Sequence, residues 1–501
     1  MKSPNIVFFL TDDQGGWALH CAGNPEIITP NLDRLASEGM RFDNFFCASP
    51  VCSPARASLL TGRIPSQHGI HDWIFKGNMP GLPAASQASQ STGGMKSSYD
   101  YFAADEKRIE YLAGMCGYTD ILAENGYTCG ISGKWHLGDS LTPQKGFSFW
   151  RVIPYGGSDY YNAGYIVDGE LMRDPRYLSD VITDHALQFL ERRRDNPTPF
   201  YLSVHYTAPH SPWDSHQHPV ELTGLYRDCS FQSCPDEPQA HPWQINSAPR
   251  GSGERRLELL RGYFGSISGV DRSVGQILAK LDELGLRQDT LVVFSGDNGM
   301  NMGHHGIWGK GNGTFPLNMY DTSVKVPFIL SFPRQIPQGV TVNHLLSHYD
   351  FLPTLLDYLG YPLPEAGLPG KSFASLLRGE AFEPNEHLVV FDEYGPVRMI
   401  RSQDWKYVHR YPYGPHELYD LRDDPDETRN LFQEPAQRVI AQELKWELDA
   451  WFLKYVDPRI DGAREAVTGK GQINRAGIFG MGQQAYENSW CYVNADGKKM
   501  G

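Results

Sequence analysis

Two pairs of oxygen-bearing side chains, Asp12–Asp13 and Asp297–Asn298, each come directly after a short apolar run. Carboxylate and amide oxygens are the ligands that Ca²⁺ and Mg²⁺ prefer in proteins. A single pair of this kind is more often a solvated turn or a helix cap. Two pairs at matching positions favour a metal site, because neighbouring carboxylates without a cation would repel one another and would be costly to ionise.

Cationic and imidazole side chains occur in three further motifs. GKWHLG contains Lys134 and His136, which lie on the same side of an extended chain, YTAPHSP contains His210, and HHGIWGKGNG contains Lys310 in a glycine-rich loop. Around a metal ion these groups suit a tetrahedral oxyanion and general acid–base chemistry. A structural hydrogen bond is the alternative for each histidine, and we prefer it for His304.

A cysteine and an arginine lie four residues apart in ASPVCSPARASLLTGR, residues 48–63. Pro54 favours the start of a helix, and four residues make about one helical turn, so Cys52 and Arg56 can face the same point. Cys52 would then lie at a helix N-terminus, where backbone N–H groups attract an anion. Because a thiolate is poorly matched to a hard metal ion, the sequence indicates that Cys52 is not used as a thiol.

Strand and helix patterns alternate along most of the chain. They predict an α/β fold with a large mixed, mostly parallel sheet that is sandwiched by helices. One predicted helix begins at an N-cap candidate, Thr29, and a long one covers about 255–284. In such sheets the ligand site lies beyond the carboxyl ends of the strands. The polar clusters at Asp12, Lys134, His210 and Asp297 each follow a predicted strand, so we expect them to form one site.

The sequence pattern divides the chain into two predicted domains, a catalytic domain at 1–385 and a smaller C-terminal domain at 386–501. In the second domain, alternating residues predict antiparallel strands, and a helix is expected from about 434 to 455. A segment rich in small and polar residues, 77–98, is predicted to be a surface insertion. The tail after residue 457 is glycine-rich and is expected to be largely irregular.

Composition and charge limit the partners. The chain has 501 residues and a net charge of −14, which argues against binding nucleic acid or an anionic membrane. No run approaches the roughly 20 apolar residues that cross a bilayer. The first residues do not match a secretory leader, which predicts a cytoplasmic protein, or a periplasmic or secreted one if a leader has been removed. Cys229 and Cys234 could pair, although free thiols are favoured.

CSPAR followed by SLLTGR resembles the signature of the sulfatases, Cys-x-Pro-x-Arg with a downstream Thr-Gly-Arg. The chain is identified as a member of the type I, formylglycine-dependent sulfatase family because further segments resemble that family in the same order: PNIVFFLTDDQGG, TPNLDRLASEGMRF, GKWHLG, APHSP, GDNG, HHGIWGKG, VKVPFIL and ELYDLRDDPDETRNL. The resemblance implies the fold of the alkaline phosphatase superfamily, with a smaller C-terminal antiparallel sheet. NGTFPLNMYD after WGKG, and residues 211–243, depart from the family pattern and leave the substrate open.

The resemblance implies hydrolysis of sulfate esters by a formylglycine that a formylglycine-generating, or sulfatase-maturating, enzyme makes from Cys52. One hydroxyl of the hydrated aldehyde would attack sulfur, and loss of the proton from the other to His136 would expel sulfate. His210 or Lys310 would protonate the leaving alcohol. The metal would be Ca²⁺ rather than Mg²⁺, with the ligands Asp12, Asp13, modified Cys52, Asp297 and Asn298. The implied sulfate-binding and catalytic residues are Cys52, Arg56, Lys134, His136, His210 and Lys310.

An exo-acting carbohydrate sulfatase is the expected substrate class, with a small aryl or alkyl sulfate as the alternative. Substrate contacts are predicted from His71, Trp73 and His305, with Asp72 and residues 211–243 as further candidates. His71 and Trp73 could equally belong to the core. Two other functions stay open: a phosphodiesterase or phosphonate monoester hydrolase of the same superfamily, and a non-catalytic protein that binds sulfated glycans.

Overall fold

A ten-stranded sheet forms the centre of the protein in a computed structural model that describes residues 3–80, 107–393, 396–486 and the short strands at 492–493 and 499–500. Most of the predicted insertion at 77–98 lies outside these residues. The strands are, in chain order, β1 (Asn5–Thr11), β2 (Met40–Phe42), β3 (Phe45–Phe46), β4 (Thr128–Lys134), β5 (Phe147–Ile153), β6 (Ala163–Val167), β7 (Glu170–Asp174), β8 (Phe200–His205), β9 (Thr290–Gly296), β10 (Asn301–Met302), β11 (Trp308–Gly309), β12 (Phe328–Ser331), β13 (Val340–Val342), β14 (Leu346–Ser347), β15 (Leu388–Asp392), β16 (Val397–Arg401), β17 (Trp405–Arg410), β18 (Glu417–Asp420), β19 (Tyr492–Val493) and β20 (Lys499–Met500).

The large sheet has the order β13-β2-β12-β9-β1-β8-β4-β5-β6-β7. Its five central strands, from β9 to β5, are parallel to one another, and antiparallel partners flank them on both sides. The predicted mixed, mostly parallel sheet is therefore confirmed. β12 pairs antiparallel with β9, because the connection between them is mostly loop and supplies no long crossover helix.

Helices cover both faces of this sheet. Along β1, Ile6 and Phe8 pack into one apolar core and Val7 and Phe9 into another, as expected for a strand whose side chains alternate. The helices are Pro30–Ser37, Cys52–Thr61, Pro65–His68, Tyr118–Glu124, Leu178–Glu191, Val220–Thr223, Gly253–Glu283, Asp321–Val324, His348–Leu359, Ala374–Leu377 and Arg438–Tyr455. No helix among the described residues has the length and apolar character needed to span a membrane.

Two helix predictions have different outcomes. The long helix expected at about 255–284 is confirmed as Gly253–Glu283. Thr29 does stand at the N-cap position of the Pro30–Ser37 helix, but its side chain does not cap the helix. The hydroxyl instead accepts a hydrogen bond from the backbone N–H of His20 and donates one to the carboxylate of Asp33.

A second, four-stranded antiparallel sheet, β15-β16-β17-β18, follows in the chain, as predicted. The helix Arg438–Tyr455 packs on this sheet, and Leu388 and Val390 of β15 join the core of the large sheet. The division of the chain at residue 385 stays a prediction. Cys229 and Cys234, which could have formed a disulfide, are both free thiols.

Candidate active site

The four polar clusters meet at one edge of the large sheet. Asp12 follows β1, Asp297 follows β9, His210 lies in the loop after β8, and Lys134 is the last residue of β4. These four strands are parallel neighbours in the order β9-β1-β8-β4. Their carboxyl ends therefore lie side by side, which is the reason that residues almost 300 positions apart in the chain can contact one another.

The oxygen-bearing side chains form one buried cluster. The backbone N–H of Asp13 donates to Asp297 Oδ1 at 3.1 Å, and Asn298 Nδ2 donates to Asp13 Oδ1 at 2.8 Å. Potential ligand atoms of Asp12, Asp13 and His210 lie within 4.8 Å of one another. The side-chain oxygens Asp12 Oδ1 and Asn298 Oδ1 are buried and have no hydrogen-bond partner. Two buried oxygens without a partner in one carboxylate cluster fit the coordination of a cation.

Each carboxylate of the cluster accepts a hydrogen bond from one buried cation: Asp12 from Lys134 at 2.5 Å, Asp13 from Lys310 at 2.6 Å and Asp297 from Arg56 at 2.8 Å. Burial raises the pKa of Asp12 and Asp13, but the nearby cations lower it more, so both pKa values lie below the ordinary range. Burial lowers the pKa of Lys310, yet Asp13 and other anionic groups raise it well above its usual value. Asp12 and Asp13 are therefore negatively charged, and Lys310 is positively charged.

Cys52 is the first residue of the Cys52–Thr61 helix, every residue of which is buried. This agrees with the predicted place at a helix N-terminus. Its side chain lies beside the cluster, with Lys310 Nζ donating to the sulfur at 3.7 Å, and the residue is 5% exposed. Arg56 follows one turn later on the same helix and keeps one guanidinium nitrogen, Nη2, without a partner. The helix thus brings the cysteine and the arginine to the same cluster.

Backbone carbonyls fix the ring orientations of two histidines, His136 and His210. His136 Nε2 donates to the carbonyl of Ile74 at 3.0 Å, and His210 Nδ1 donates to the carbonyl of Ser211 at 2.7 Å. A carbonyl only accepts, so the bonded nitrogen of each ring carries the proton. His136 Nδ1 is therefore the basic nitrogen of that ring; burial and then Lys134 hold the pKa of His136 well below its usual value. His210 Nε2 lies 3.7 Å from Asp13.

A cavity of about 490 Å³ opens over this cluster. The sequence-predicted residues that line it are Asp13, Cys52, Trp73, His136, His210 and Lys310. Arg56 and Lys134 belong to the cluster but not to the cavity lining, and in this arrangement they form ion pairs with Asp297 and Asp12. Further lining residues were missed by sequence reasoning and include Phe75, Asn78, Tyr155, Ile245, Asn246, Ser247, Met300, Asn312 and Gly469.

Two predicted substrate contacts lie elsewhere. His71 is buried away from the cavity, where Nε2 donates to the carbonyl of Ile460 at 2.8 Å and burial lowers its pKa to about 4. His305 stacks on Tyr320 with ring centroids 3.7 Å apart and does not line the cavity. These contacts hold both imidazoles away from the cavity, and the sequence motifs around the two residues do not indicate them.

The structure also corrects the substrate contacts predicted for Asp72 and for residues 211–243. Asp72 is buried and accepts hydrogen bonds from the backbone of Trp73 and Gly471. Of the segment 211–243, only Ser211 and Trp213 line the cavity. His304 packs against Trp17 with ring centroids 4.7 Å apart and tilted ring planes, in keeping with the structural role expected for it.

Comparison with known proteins places the chain in a family. The model of the sulfatase family matches residues 4–361, and a model described as "N-sulphoglucosamine sulphohydrolase, C-terminal" matches residues 303–453. The chain is 27% identical to an N-acetylglucosamine-6-O-sulfatase of Bacteroides thetaiotaomicron, over 94% of this chain and 90% of that protein. It is 30% identical to human arylsulfatase A, over 86% of this chain and 83% of that protein.

Among solved structures, a protein in complex with its substrate D-glucosamine-2-N,6-O-disulfate superimposes with a TM-score of 0.74 at 24% identity. The match covers 93% of this chain and all of the other. The fold, a mostly parallel sheet between helices with a small antiparallel sheet beside it, is that of the alkaline phosphatase superfamily, to which the sulfatases belong. Within that superfamily, the chain belongs to the sulfatase family, and it is a sulfuric ester hydrolase.

Proposed function

We propose that this sulfuric ester hydrolase removes sulfate from the end of a carbohydrate chain with a formylglycine made from Cys52 and with a bound Ca²⁺ ion. The observation that carries the proposal is the position of Cys52. It begins a buried helix at the floor of the cavity, and Lys310 and the carboxylate cluster surround it. Formylglycine at this position would supply a hydrated aldehyde, one hydroxyl of which attacks sulfur while the other allows sulfate to be expelled.

The donor set fits a hard cation. Asp12, Asp13, Asp297 and Asn298 would hold it, and two of their oxygens are buried without a partner. All of these donors are oxygens, which favours Ca²⁺ or Mg²⁺ over softer metals. A cation bound here would supply positive charge to the reacting oxygens. The nearby cations hold the pKa values of Asp12 and Asp13 below their usual range, so these two carboxylates bind a cation without first releasing a proton.

The remaining catalytic roles belong to side chains of the chain itself. Lys310, which contacts both Asp13 and Cys52, places an ammonium group where negative charge develops on the sulfuryl oxygens. His136 Nδ1, which lacks a hydrogen-bond partner, accepts a proton from the modified residue. His210 lines the cavity with Nε2 3.7 Å from Asp13, and in its doubly protonated form it donates the Nε2 proton to the leaving alcohol. Arg56 and Lys134 hold Asp297 and Asp12 in place through buried ion pairs.

A sugar substrate is supported by the shape and lining of the cavity. Its volume of about 490 Å³ falls in the range of small-molecule sites, which suits a terminal sugar better than the middle of a polymer. Trp73, Phe75 and Tyr155 offer aromatic surface, and Asn78 and Asn246 offer hydrogen-bonding groups. The relatives described above include an N-acetylglucosamine-6-O-sulfatase, which supports the same substrate class for this chain.

The test of the nucleophile compares the wild type, Cys52→Ala and the control Cys116→Ala, each coexpressed with a sulfatase-maturating enzyme. Cys116 is half-buried outside the cavity. We expect the wild type and the control to carry an aldehyde at Cys52 by peptide mass and to hydrolyse N-acetylglucosamine 6-sulfate and 4-nitrophenyl sulfate. Cys52→Ala should lose at least a thousandfold in kcat. An unmodified Cys52 in a fully active enzyme would refute the proposal, as would faster turnover of bis(4-nitrophenyl) phosphate than of either sulfate ester.

The metal is tested by a readout that does not need turnover. Ca²⁺ added to chelator-treated protein should raise the Tm, because a ligand that binds only the folded state stabilises it. Asp12→Ala should abolish this rise, whereas Asp282→Ala, on the long helix away from the site, should keep it. A Tm that does not respond to Ca²⁺ or Mg²⁺ in the wild type would contradict the assignment of the metal site.

A further inference from the structure

The C-terminal tail contributes a short segment to the wall of the active site. Gln472 forms a parallel bridge with Ile74, which lines the cavity. Its backbone N–H donates to the carbonyl of Trp73 at 2.8 Å, and its carbonyl accepts from the N–H of Phe75 at 2.9 Å. The tail therefore holds the backbone on both sides of Ile74.

The side chain of Gln472 strengthens this attachment with both ends of its amide. Oε1 accepts a hydrogen bond from the backbone N–H of His71 at 3.0 Å, and Nε2 donates to the carbonyl of Gly69 at 2.8 Å and to that of Asn474 at 2.9 Å. The residue is fully buried. A buried amide with these bonds satisfied fixes one local arrangement, because any shift would leave polar groups unpaired.

Ile74 in turn holds the proposed base. Its carbonyl accepts the hydrogen bond from His136 Nε2 at 3.0 Å. Its N–H donates to Ser53 Oγ at 3.1 Å, and Ser53 Oγ donates to the backbone carbonyl of His136 at 3.0 Å. Ser53 is the residue next to Cys52, so the backbone of Ile74 connects the base with the start of the helix that carries the nucleophile.

We propose that Gln472 is a positioning residue for His136. By fixing the backbone at Ile74, it keeps the accepting carbonyl in front of His136 Nε2, so that the ring stays in the tautomer whose Nδ1 is free to take a proton. The inference rests on the function proposed for His136. It adds to the site a residue about 336 positions further along the chain, in a tail whose sequence predicts no regular structure.

The test is a double-mutant cycle with Gln472→Met and His136→Ala, measured on 4-nitrophenyl sulfate. Methionine keeps the length of the side chain and removes its hydrogen bonds, and Gln484→Met, at an exposed position of the same tail, is the matched control. All variants are normalised to their content of formylglycine and checked for a cooperative thermal transition. If Gln472→Met does not fold, Gln472→Asn, which keeps a shorter amide, takes its place under the same criteria.

We expect Gln472→Met to lower kcat roughly tenfold with less than a threefold change in KM, as is typical when an outer hydrogen-bond partner of a functional histidine is removed. In the His136→Ala background the same substitution should have no further effect, because the residue acts through the imidazole. Losses that multiply, or an unchanged kcat in Gln472→Met, would overturn the role of Gln472 and leave the proposed function intact. An unchanged kcat in His136→Ala would overturn both.

Discussion

Lys406 supports a buried charge network next to the loop that carries Lys310. The lysine lies on β17 with its side chain fully buried, forms an ion pair with Glu427, and donates to Asp321 at 2.6 Å and to the carbonyl of Met319 at 2.9 Å. Lys406→Met would leave both carboxylates without this cation. Breaking a buried ion pair in this way costs about 3–5 kcal/mol, because the remaining charge is left in a poorly solvated interior.

The size of the effect on Tm follows from the length of the chain. With an unfolding entropy of about 2.1 cal/mol/K per residue, the 501 residues give about 1 kcal/mol/K, so a loss of about 4 kcal/mol lowers Tm by about 4 °C.

The loss of stability in Lys406→Met should depend on pH. Burial raises the pKa of Glu427 to about 7 even though Lys406 lowers it, and without the lysine its pKa rises further. Protonation then relieves the unpaired charge at low pH, so the deficit should be larger at pH 9 than at pH 6.

The measurement is calorimetric or circular-dichroism melting at pH 6 and pH 9. Lys454→Met is the control, since Lys454 is exposed on the Arg438–Tyr455 helix, where its ammonium group lies 4.8 Å from the centroid of the Tyr455 ring. The double variant Lys406→Met/Glu427→Gln should recover part of the loss at pH 9 because it removes the unpaired carboxylate. A Tm change below 1 °C at both pH values, or a larger deficit at pH 6, would refute the reasoning.

Three further predictions concern other parts of the molecule. Burial raises the pKa of Asp350 from 3.8 to about 7, so the wild type loses stability as the pH rises from about 4 to 7. An asparagine at this position does not titrate. The stability lost in Asp350→Asn, measured by urea unfolding, should therefore be smaller at pH 8 than at pH 5. Gly471→Ala should destabilise more than Gly482→Ala in thermal melts, because both have positive φ but only the first would place its Cβ 2.4 Å from a neighbouring side chain. Trp73→Ala should raise KM for a sulfated sugar at least fivefold, whereas Trp446→Ala, 68% exposed outside the cavity, should leave KM unchanged.

Much of the charged cluster could be predicted because its members follow regular strands. Asp12, Lys134 and Asp297 come directly at strand ends, and the carboxyl ends of neighbouring parallel strands must meet. The same rule would have found Tyr155, which follows the neighbouring strand β5. Tyr155 was missed because its side chain carries no charge and its sequence context does not indicate a catalytic or binding role.

The wall of the cavity could not be predicted in the same way. Ile245 and Gly469 lie in irregular segments, and their places depend on which distant residues they contact rather than on a local periodicity. His71 and Trp73 are two residues apart and have similar sequence surroundings, yet only Trp73 lines the cavity. Gln472 bonds the backbone of both residues, and His71 Nε2 bonds the carbonyl of Ile460; nothing in the sequence near His71 indicates these distant contacts.

The complete burial of the Cys52–Thr61 helix also has a consequence for timing. Another protein can reach Cys52 only before the chain closes around it. At about 5–20 residues per second, the roughly 420 residues between Cys52 and Gln472 take about 20–80 s to synthesise, and during this interval the tail that completes the cavity wall does not exist. Under the function proposed above, the modifying enzyme must convert Cys52 before synthesis and folding of the chain are complete. A molecule that folds with an unmodified Cys52 would stay inactive, and slower elongation should raise the active fraction.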